Sequence, residues 1–261
     1  LKGRRDKILA ALQAEGLACS PTPYSPWGIR FADKPALNKH PLFLDGTLEV
    51  QDEGSQLLAL LTGVKRGQMA VDFCAGAGGK TLAMGAMMHG SGRLYALDVA
   101  EKRLANLKPR MVRAGLTNIH PQRIESEHDA RIGKLSGKAD CVLVDAPCSG
   151  LGTLRRNPDL KYRQSADSVA ALRAQQHSIL QAAARLVQPQ GRLVYATCSI
   201  LPQENEAQIA RFLAENPGWQ PRDCRLILAD NKIDLDTGVY LRLNTAEHGS
   251  DAFFAAVLDR S

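Results

Sequence analysis

Ala139-Asp140-Cys141-Val142-Leu143-Val144-Asp145-Ala146-Pro147-Cys148-Ser149-Gly150-Leu151-Gly152-Thr153 is the stretch on which the fold turns. Cys141 to Val144 is short, continuous and apolar, with β-branched valines, which predicts a strand buried on both faces. It ends on an acid, then a Pro-Cys step, then a glycine-containing turn. In an open parallel sheet, ligands bind just beyond the carboxyl ends of the strands. Asp145, Pro147 and Cys148 stand where such a sheet does its chemistry.

On either side of this stretch the chain alternates. Met69–Cys74, Arg93–Asp98, Ile119–Ile124 and Arg192–Cys198 read as further strands. Helical patterns fall between them at Lys80–His89, Ala100–Ala114 and Ser165–Leu186, and another follows at Gln203–Glu215. Two more strands are expected near Arg225–Ile227 and Ala252–Leu258. This alternation predicts an α/β fold with a parallel sheet covered by helices on both faces. A helix at Asp52–Gly63 precedes it. Residues 1–50 differ: a helix with a basic start (Lys2, Arg4, Arg5, Lys7) leads into a Pro-rich stretch holding Tyr24, Trp27, Phe31 and Phe43. That stretch is too short for a core of its own and reads as a small α+β module packed on the catalytic domain of residues 51–261.

Composition narrows the partners. The chain has 261 residues and a formal net charge of +6, which suits a polyanionic partner such as a nucleic acid. No window approaches the roughly 18 apolar residues of a membrane span, and no secretory signal opens the chain. The absent initiator Met is what a fragment or a processed chain would give. The six cysteines include no CxxC pair, so neither a zinc site nor a disulfide scaffold is expected. Reduced thiols fit a cytoplasmic protein, and a monomer is the expected state.

The glycine turn after Met69–Cys74 belongs to a nucleotide-type loop. A P-loop requires a glycine five residues before its Gly-Lys-Thr, a position that Cys74 occupies here. A dinucleotide fingerprint is met only in part, because Thr81 stands where a small residue belongs. S-adenosylmethionine also needs glycines for close backbone approach and an acid after the second strand, which Asp98 supplies. Charge separates the readings: Asp72, Asp98, Asp129 and Asp145 would repel a pyrophosphate and suit a sulfonium and an ammonium.

Two thiols sit at polar strand ends, Cys148 in Pro147-Cys148-Ser149 and Cys198 in Thr197-Cys198-Ser199. If their strands are neighbours, backbones about 4.8 Å apart bring both to one pocket. Cytosine C5 is a poor nucleophile until a thiolate adds to C6, so methylation of that carbon requires a cysteine. Cys74, Cys141 and Cys224 are expected to be buried and inert.

Asp72-Phe73-Cys74-Ala75-Gly76-Ala77-Gly78-Gly79-Lys80-Thr81, Asp145-Ala146-Pro147-Cys148-Ser149-Gly150 and Ala196-Thr197-Cys198-Ser199 resemble the motifs of RNA cytosine-5 methyltransferases of the Sun family. So do Val50–Gln56 and Thr153–Asp159, and the likeness extends over about residues 20–261. The resemblance implies a seven-stranded Rossmann-like methyltransferase sheet with its last strand antiparallel. It also implies S-adenosylmethionine as methyl donor, no metal, and RNA, first of all ribosomal RNA, as partner. Cys198 would be the nucleophile, forming a covalent adduct with C6, and Cys148 would assist release, with Asp145 beside them. Donor binding would fall to Cys74, Ala75, Gly76, Ala77, Gly78, Gly79, Lys80, Asp98, Asp129 and Asp145. Ala77 stands where the family usually has proline, which leaves the turn more flexible. Arg155, Arg156, Lys161 and Arg163, directly after the catalytic turn, are placed to hold phosphates. The rival readings are a non-catalytic RNA-binding assembly factor that keeps the donor fold, methylation of tRNA, and methylation of DNA or a small molecule.

Overall fold

The computed structural model describes residues 1–261. Helix α1 (Arg5–Ala14) leads into a hairpin of β1 (Cys19–Pro21) and β2 (Ile29–Phe31), followed by α2 (Pro41–Leu44) and α3 (Glu53–Leu61). The alternating part begins with β3 (Met69–Asp72), α4 (Gly79–Met87), β4 (Arg93–Asp98), α5 (Glu101–Ala105), α6 (Leu107–Ala114), β5 (Ile119–Arg123) and β6 (Ala139–Asp145). It continues through α7 (Leu160–Arg163), α8 (Ala166–Ala184), β7 (Val187–Thr197), α9 (Glu206–Glu215), β8 (Trp219–Arg222) and α10 (Cys224–Asp230). Strand β9 (Leu241–Leu243), α11 (Thr245–His248) and β10 (Phe253–Arg260) close the chain.

The central sheet runs β5-β4-β3-β6-β7-β10-β8, with the short β9 also paired to β10. Strands β3 to β7 are parallel to their neighbours, whereas β10 is antiparallel to β7, β8 and β9. The sheet is therefore mixed at one end, as the family resemblance implies and as strand–helix alternation alone does not. Residues 244–252 join β9 to β10, and antiparallel pairing needs no long crossover. The order reverses direction between β3 and β6, which makes their carboxyl ends the switch point where a cleft opens.

Both faces of the sheet are covered. Leu57, Leu58 and Leu61 of α3 and Leu82 and Met84 of α4 pack on one face, while Leu180 and Ala183 of α8 and Phe212 of α9 pack on the other. Each fully buried leucine contributes roughly 1.5–3 kcal/mol relative to an exposed one. No helix is long and apolar enough to cross a membrane.

Two elements differ from the sequence reading. The expected strand at Arg225–Ile227 is helix α10: Asp223 caps it by accepting from the Arg225 N–H, and Cys224, Ile227 and Leu228 bury one helical face. The strand in this region is β8, just before it. The helix expected over Ala100–Ala114 breaks at Asn106, because Pro109 has no N–H to give the Ala105 carbonyl.

Residues 1–50 are fastened to this sheet by two glutamates. Glu53, almost wholly buried, accepts from the Tyr24 and Ser25 N–H groups, each at 2.7 Å. Glu49 pairs with Arg113 at 2.6 Å and Arg110 at 3.3 Å on α6.

Candidate active site

The carboxyl ends of β3, β4, β6 and β7 line a cleft of about 600 Å³, within the range of small-molecule sites. Asp72, Cys74, Ala75, Gly76, Ala77, Gly79, Lys80, Asp98, Asp145, Cys148 and Cys198 all line it. Gly78 lies just behind the wall as the residue preceding α4, at φ +85°, and a Cβ there would meet Leu107 Cδ1 at 2.3 Å. Glycine meets both demands at once. The turn is also tied down where proline is missing. Asp98 accepts from the Gly76 N–H at 2.7 Å, and Arg110 donates to the Ala77 carbonyl. Asp98 accepts from the Ala100 N–H as well, at 2.7 Å, so its carboxylate is held in a fixed orientation at the cleft edge.

The other carboxylates have separate roles. Asp72 is fully enclosed; its Oδ2 accepts from the Thr81 hydroxyl at 2.6 Å, while Oδ1 has no partner. Burial pushes its pKa up to about 7, despite the Thr81 hydrogen bond. An acid raised in the folded chain stabilises below its unfolded pKa and loses that contribution as pH rises through the folded value. Asp72→Asn, which mimics the protonated acid, should therefore gain stability over wild type between about pH 4 and 7 and hold that gain above it. A rise of that size from the ordinary carboxylate range sets an upper limit of about 4 kcal/mol. Thermal melts at pH 4 and pH 8 check this, and an equal difference at both would refute it.

Asp145 forms an ion pair with Lys80 Nζ at 2.6 Å. Burial would strip the Lys80 proton, but the Asp145 carboxylate prevails and raises the lysine pKa. Asp129, expected among the carboxylates of the cleft, does not line it. Its side chain turns back on its own loop, taking hydrogen bonds from Arg131 and from the Glu125 and Arg131 N–H groups, which hold its pKa well below the usual range. The acid that faces the cleft from this loop is Glu127.

Strands β6 and β7 are neighbours with Asp145 opposite Ala196, so the turns that follow them lie side by side. The Cys148 and Cys198 sulfurs are 3.4 Å apart. Each thiol alters the other. The hydrogen bond from Cys148 lowers the Cys198 pKa, against burial and the Asp145 charge, with Lys80 assisting. The same hydrogen bond, with burial, holds Cys148 well above its ordinary value. The pair is thus unequal, with ionisation favoured at Cys198 over Cys148. Cys141 and Cys224 are pushed by burial to about 12 and about 11, and Cys74 is also raised by burial. Cys141 and Cys224 are buried, as expected, whereas Cys74 is half-buried and lines the cleft.

The basic loop divides in two. Arg155 and Arg156 both reach Asp251, whose side chain is fully buried at the start of β10. Arg156 Nε donates to Asp251 Oδ2 at 2.8 Å, and Arg155 lies 3.8 Å from Asp52. Both thus counter the charge of a buried acid. Lys161 lies over the Tyr162 ring at 4.8 Å and Arg163 pairs with Asp159 on the surface, both outward from the protein. Arg156→Ala should destabilise by about 2 kcal/mol, since a buried charge loses its main partner while Arg155 remains. Arg163→Ala should stay within about 0.5 kcal/mol of wild type. Urea titration of both variants measures the difference, and equal midpoints would overturn this division.

Sequence reading missed Glu127, Asp251 and Glu204. Nothing in the local sequence separates Asp251 or Glu204 from a solvated turn residue; only their burial does. The backbone carries a further constraint. Gly152 donates to the Cys198 carbonyl and accepts from the Ala252 N–H, each at 2.9 Å, so the β6 turn is pinned to β7 and β10. A Cβ at Gly152 would sit 2.3 Å from the Ala252 carbonyl oxygen. No group of three or more His, Cys, Asp or Glu side chains is arranged to hold a metal.

A family model described as 16S rRNA methyltransferase RsmB/F matches residues 59–259. The probable ribosomal RNA small subunit methyltransferase B of Synechocystis sp. is 34% identical across the whole chain, which covers 58% of that protein. The ribosomal RNA small subunit methyltransferase B of Pseudomonas syringae pv. tomato is 36% identical over 84% of the chain, which covers 49% of it. The chain thus spans about half the length of the curated relatives it matches. Among solved structures, a methyltransferase homolog protein from Pyrococcus horikoshii aligns at TM-score 0.83 and 25% identity, over 100% of this chain and 84% of that one. NSun6 from Pyrococcus horikoshii, solved with SFG, aligns at TM-score 0.83 and 19% identity over 99% of this chain and 88% of that one, and shares the fold.

Proposed function

Since the chain belongs to the RsmB/F family of 16S rRNA methyltransferases, we propose that it methylates C5 of a cytosine in ribosomal RNA, with S-adenosylmethionine as donor. The observation that carries this reading is the pair of thiols 3.4 Å apart at the ends of neighbouring strands, beside Lys80 and Asp145. A methyltransferase acting on an exocyclic amine has no use for either sulfur.

The cleft fits the donor on three counts. The glycine turn lets a ligand approach the backbone closely, Asp98 stands at the cleft edge for ribose hydroxyls, and the unpartnered Asp72 Oδ1 is an acceptor for an ammonium. When bound, S-adenosylmethionine supplies an electrophilic methyl group. Every other task belongs to the chain. The Cys198 thiolate adds to C6 of the cytosine, an S–C6 bond forms, and the C5=C6 electron pair becomes available at C5. Asp145, held by Lys80, faces the ring from the end of β6. After methylation the C5 proton passes to solvent water, the C5–H electron pair forms C5=C6, and the S–C6 bond breaks with its pair returning to the Cys198 sulfur. Cys148, which keeps its proton and touches the Cys198 sulfur, assists that release.

The target base must be unstacked to reach a pocket at strand ends, which favours a loop or bulge. Lys161 and Arg163, free of buried partners, are the members of the basic loop proposed to meet phosphates. Residues 1–50, with Lys2, Arg4, Arg5 and Lys7 near their start, are proposed as an accessory RNA-docking module.

The deciding experiment supplies donor with a labelled methyl group and small-subunit ribosomal RNA, followed by nucleoside analysis. Label recovered as 5-methylcytosine is the expected result. Donor binding without transfer to ribosomal RNA would refute the proposal.

A further inference from the structure

Behind the two thiols lies a carboxylate to which this chemistry gives no role. Glu204, in the turn between Cys198 and α9, is completely buried. Its Oε1 accepts from the Ser149 N–H at 2.8 Å and from Gln176 Nε2 at 2.9 Å. Its Oε2 accepts from the Ser149 hydroxyl at 2.6 Å and from the Ser199 hydroxyl. All four partners are neutral donors, so a buried negative charge is held by hydrogen bonds alone, an arrangement that is costly to keep without a purpose.

The placement is specific. Ser149 follows Cys148 and Ser199 follows Cys198, so one side chain fastens both cysteine turns to each other. Gln176, from α8, also donates to the Pro147 carbonyl at 2.9 Å. The Glu204 backbone is held in turn: the Tyr195 hydroxyl donates to its carbonyl at 2.7 Å, and Asn205 Nδ2 donates to the Ser199 carbonyl at 2.9 Å. The charges around the two sulfurs are unequal. Cys198 faces Lys80 and Asp145, an ion pair, with Arg156 beyond. Cys148 faces Cys198, with the hydrogen-bonded Glu204 carboxylate behind it as a lesser influence and Tyr195 beneath.

We propose that Glu204 is a positioning residue that holds the two cysteine turns in register and leaves the shared proton on Cys148, so that Cys198 is the sulfur that attacks. This rests on the reading of Cys198 as nucleophile given above. A negative charge behind one member of a hydrogen-bonded pair disfavours ionisation of that member and directs the electron pair to the other.

The test uses the whole chain and no RNA or donor. Brief treatment with iodoacetamide at pH 7 alkylates thiolates, and peptide mass spectrometry gives the Cys198 to Cys148 labelling ratio. Wild type should label almost wholly at Cys198. In Glu204→Gln, which keeps the shape while the serine hydroxyls turn to accept from the new amide, the ratio should fall about tenfold, as a one-unit change in relative acidity requires. Glu204→Asp restores the charge and should restore most of the ratio. An unchanged ratio in Glu204→Gln would overturn the proposal. If that variant does not fold, loss of selectivity in Glu204→Asp overturns it and retained selectivity supports it. The labelling ratio can fail while methyl transfer to RNA stands, and the reverse, so the two readings are judged apart.

Discussion

Cys198→Ser should lower methyl transfer by at least about 10³-fold while leaving donor binding intact, because it removes the atom that activates C5. The geometry that makes Cys198 reactive is matched to a thiol. The S–H of Cys148 and the nearby Lys80 lower the Cys198 pKa from its ordinary value, against burial and the Asp145 charge. The same two contacts fall far short of ionising an alcohol, so serine leaves the ring unactivated. Donor affinity should not change, since the glycine turn and Asp98 hold themselves through Arg110 and backbone contacts that do not involve the thiols. Calorimetry with S-adenosylhomocysteine and a single-turnover assay with labelled donor separate the two effects. A variant that transfers methyl at more than a tenth of the wild-type rate would exclude Cys198 as nucleophile.

Much of this site is legible in the amino-acid sequence itself. A short apolar strand ending in Asp145-Ala146-Pro147-Cys148 and another ending in Ala196-Thr197-Cys198 announce where chemistry is done. That they are adjacent follows from the reversal of strand order, which pattern alone leaves open and the register of β6 on β7 settles. What stayed hidden depends on partners far away in sequence. Arg155 and Arg156 look like phosphate ligands until Asp251, 95 positions from Arg156, is found buried beneath them. Asp129 looks like one more cleft carboxylate until Arg131 claims it within its own loop. Gln203-Glu204-Asn205-Glu206 looks like the solvated start of a helix, and only the fold shows that Glu204 points inward at two cysteine turns. The failed strand at Arg225–Ile227 has a different cause. A run as short as Leu226-Ile227-Leu228 suits either period, and the Asp223 cap decides for the helix.

Cys148→Ala should convert a turning-over enzyme into one that stops on its substrate, with covalent protein–RNA adduct accumulating on denaturing gels. Breaking the S–C6 bond returns a sulfur anion to a buried pocket, and removal of the C5 proton must accompany it. Cys148, 3.4 Å from that sulfur and holding its proton, is the group in reach of the departing thiolate. General acid–base assistance of this kind is worth about 10²–10⁴-fold, so turnover should fall by at least about 10² while one methyl per enzyme is still transferred. A second consequence has the opposite pH dependence to a simple loss of function. Without the S–H donor, the Cys198 pKa rises toward its ordinary value, because the largest influence lowering it is gone. The thiolate fraction at neutral pH falls, and adduct formation in the variant should quicken as pH rises to about 9. Wild type, with its Cys198 pKa lowered by that donor, should show a flatter profile. Cys148→Ala combined with Cys198→Ala should give no adduct at any pH. If the single variant binds RNA and donor yet yields free protein throughout, release does not depend on Cys148, and the closeness of the two sulfurs serves only to ionise Cys198.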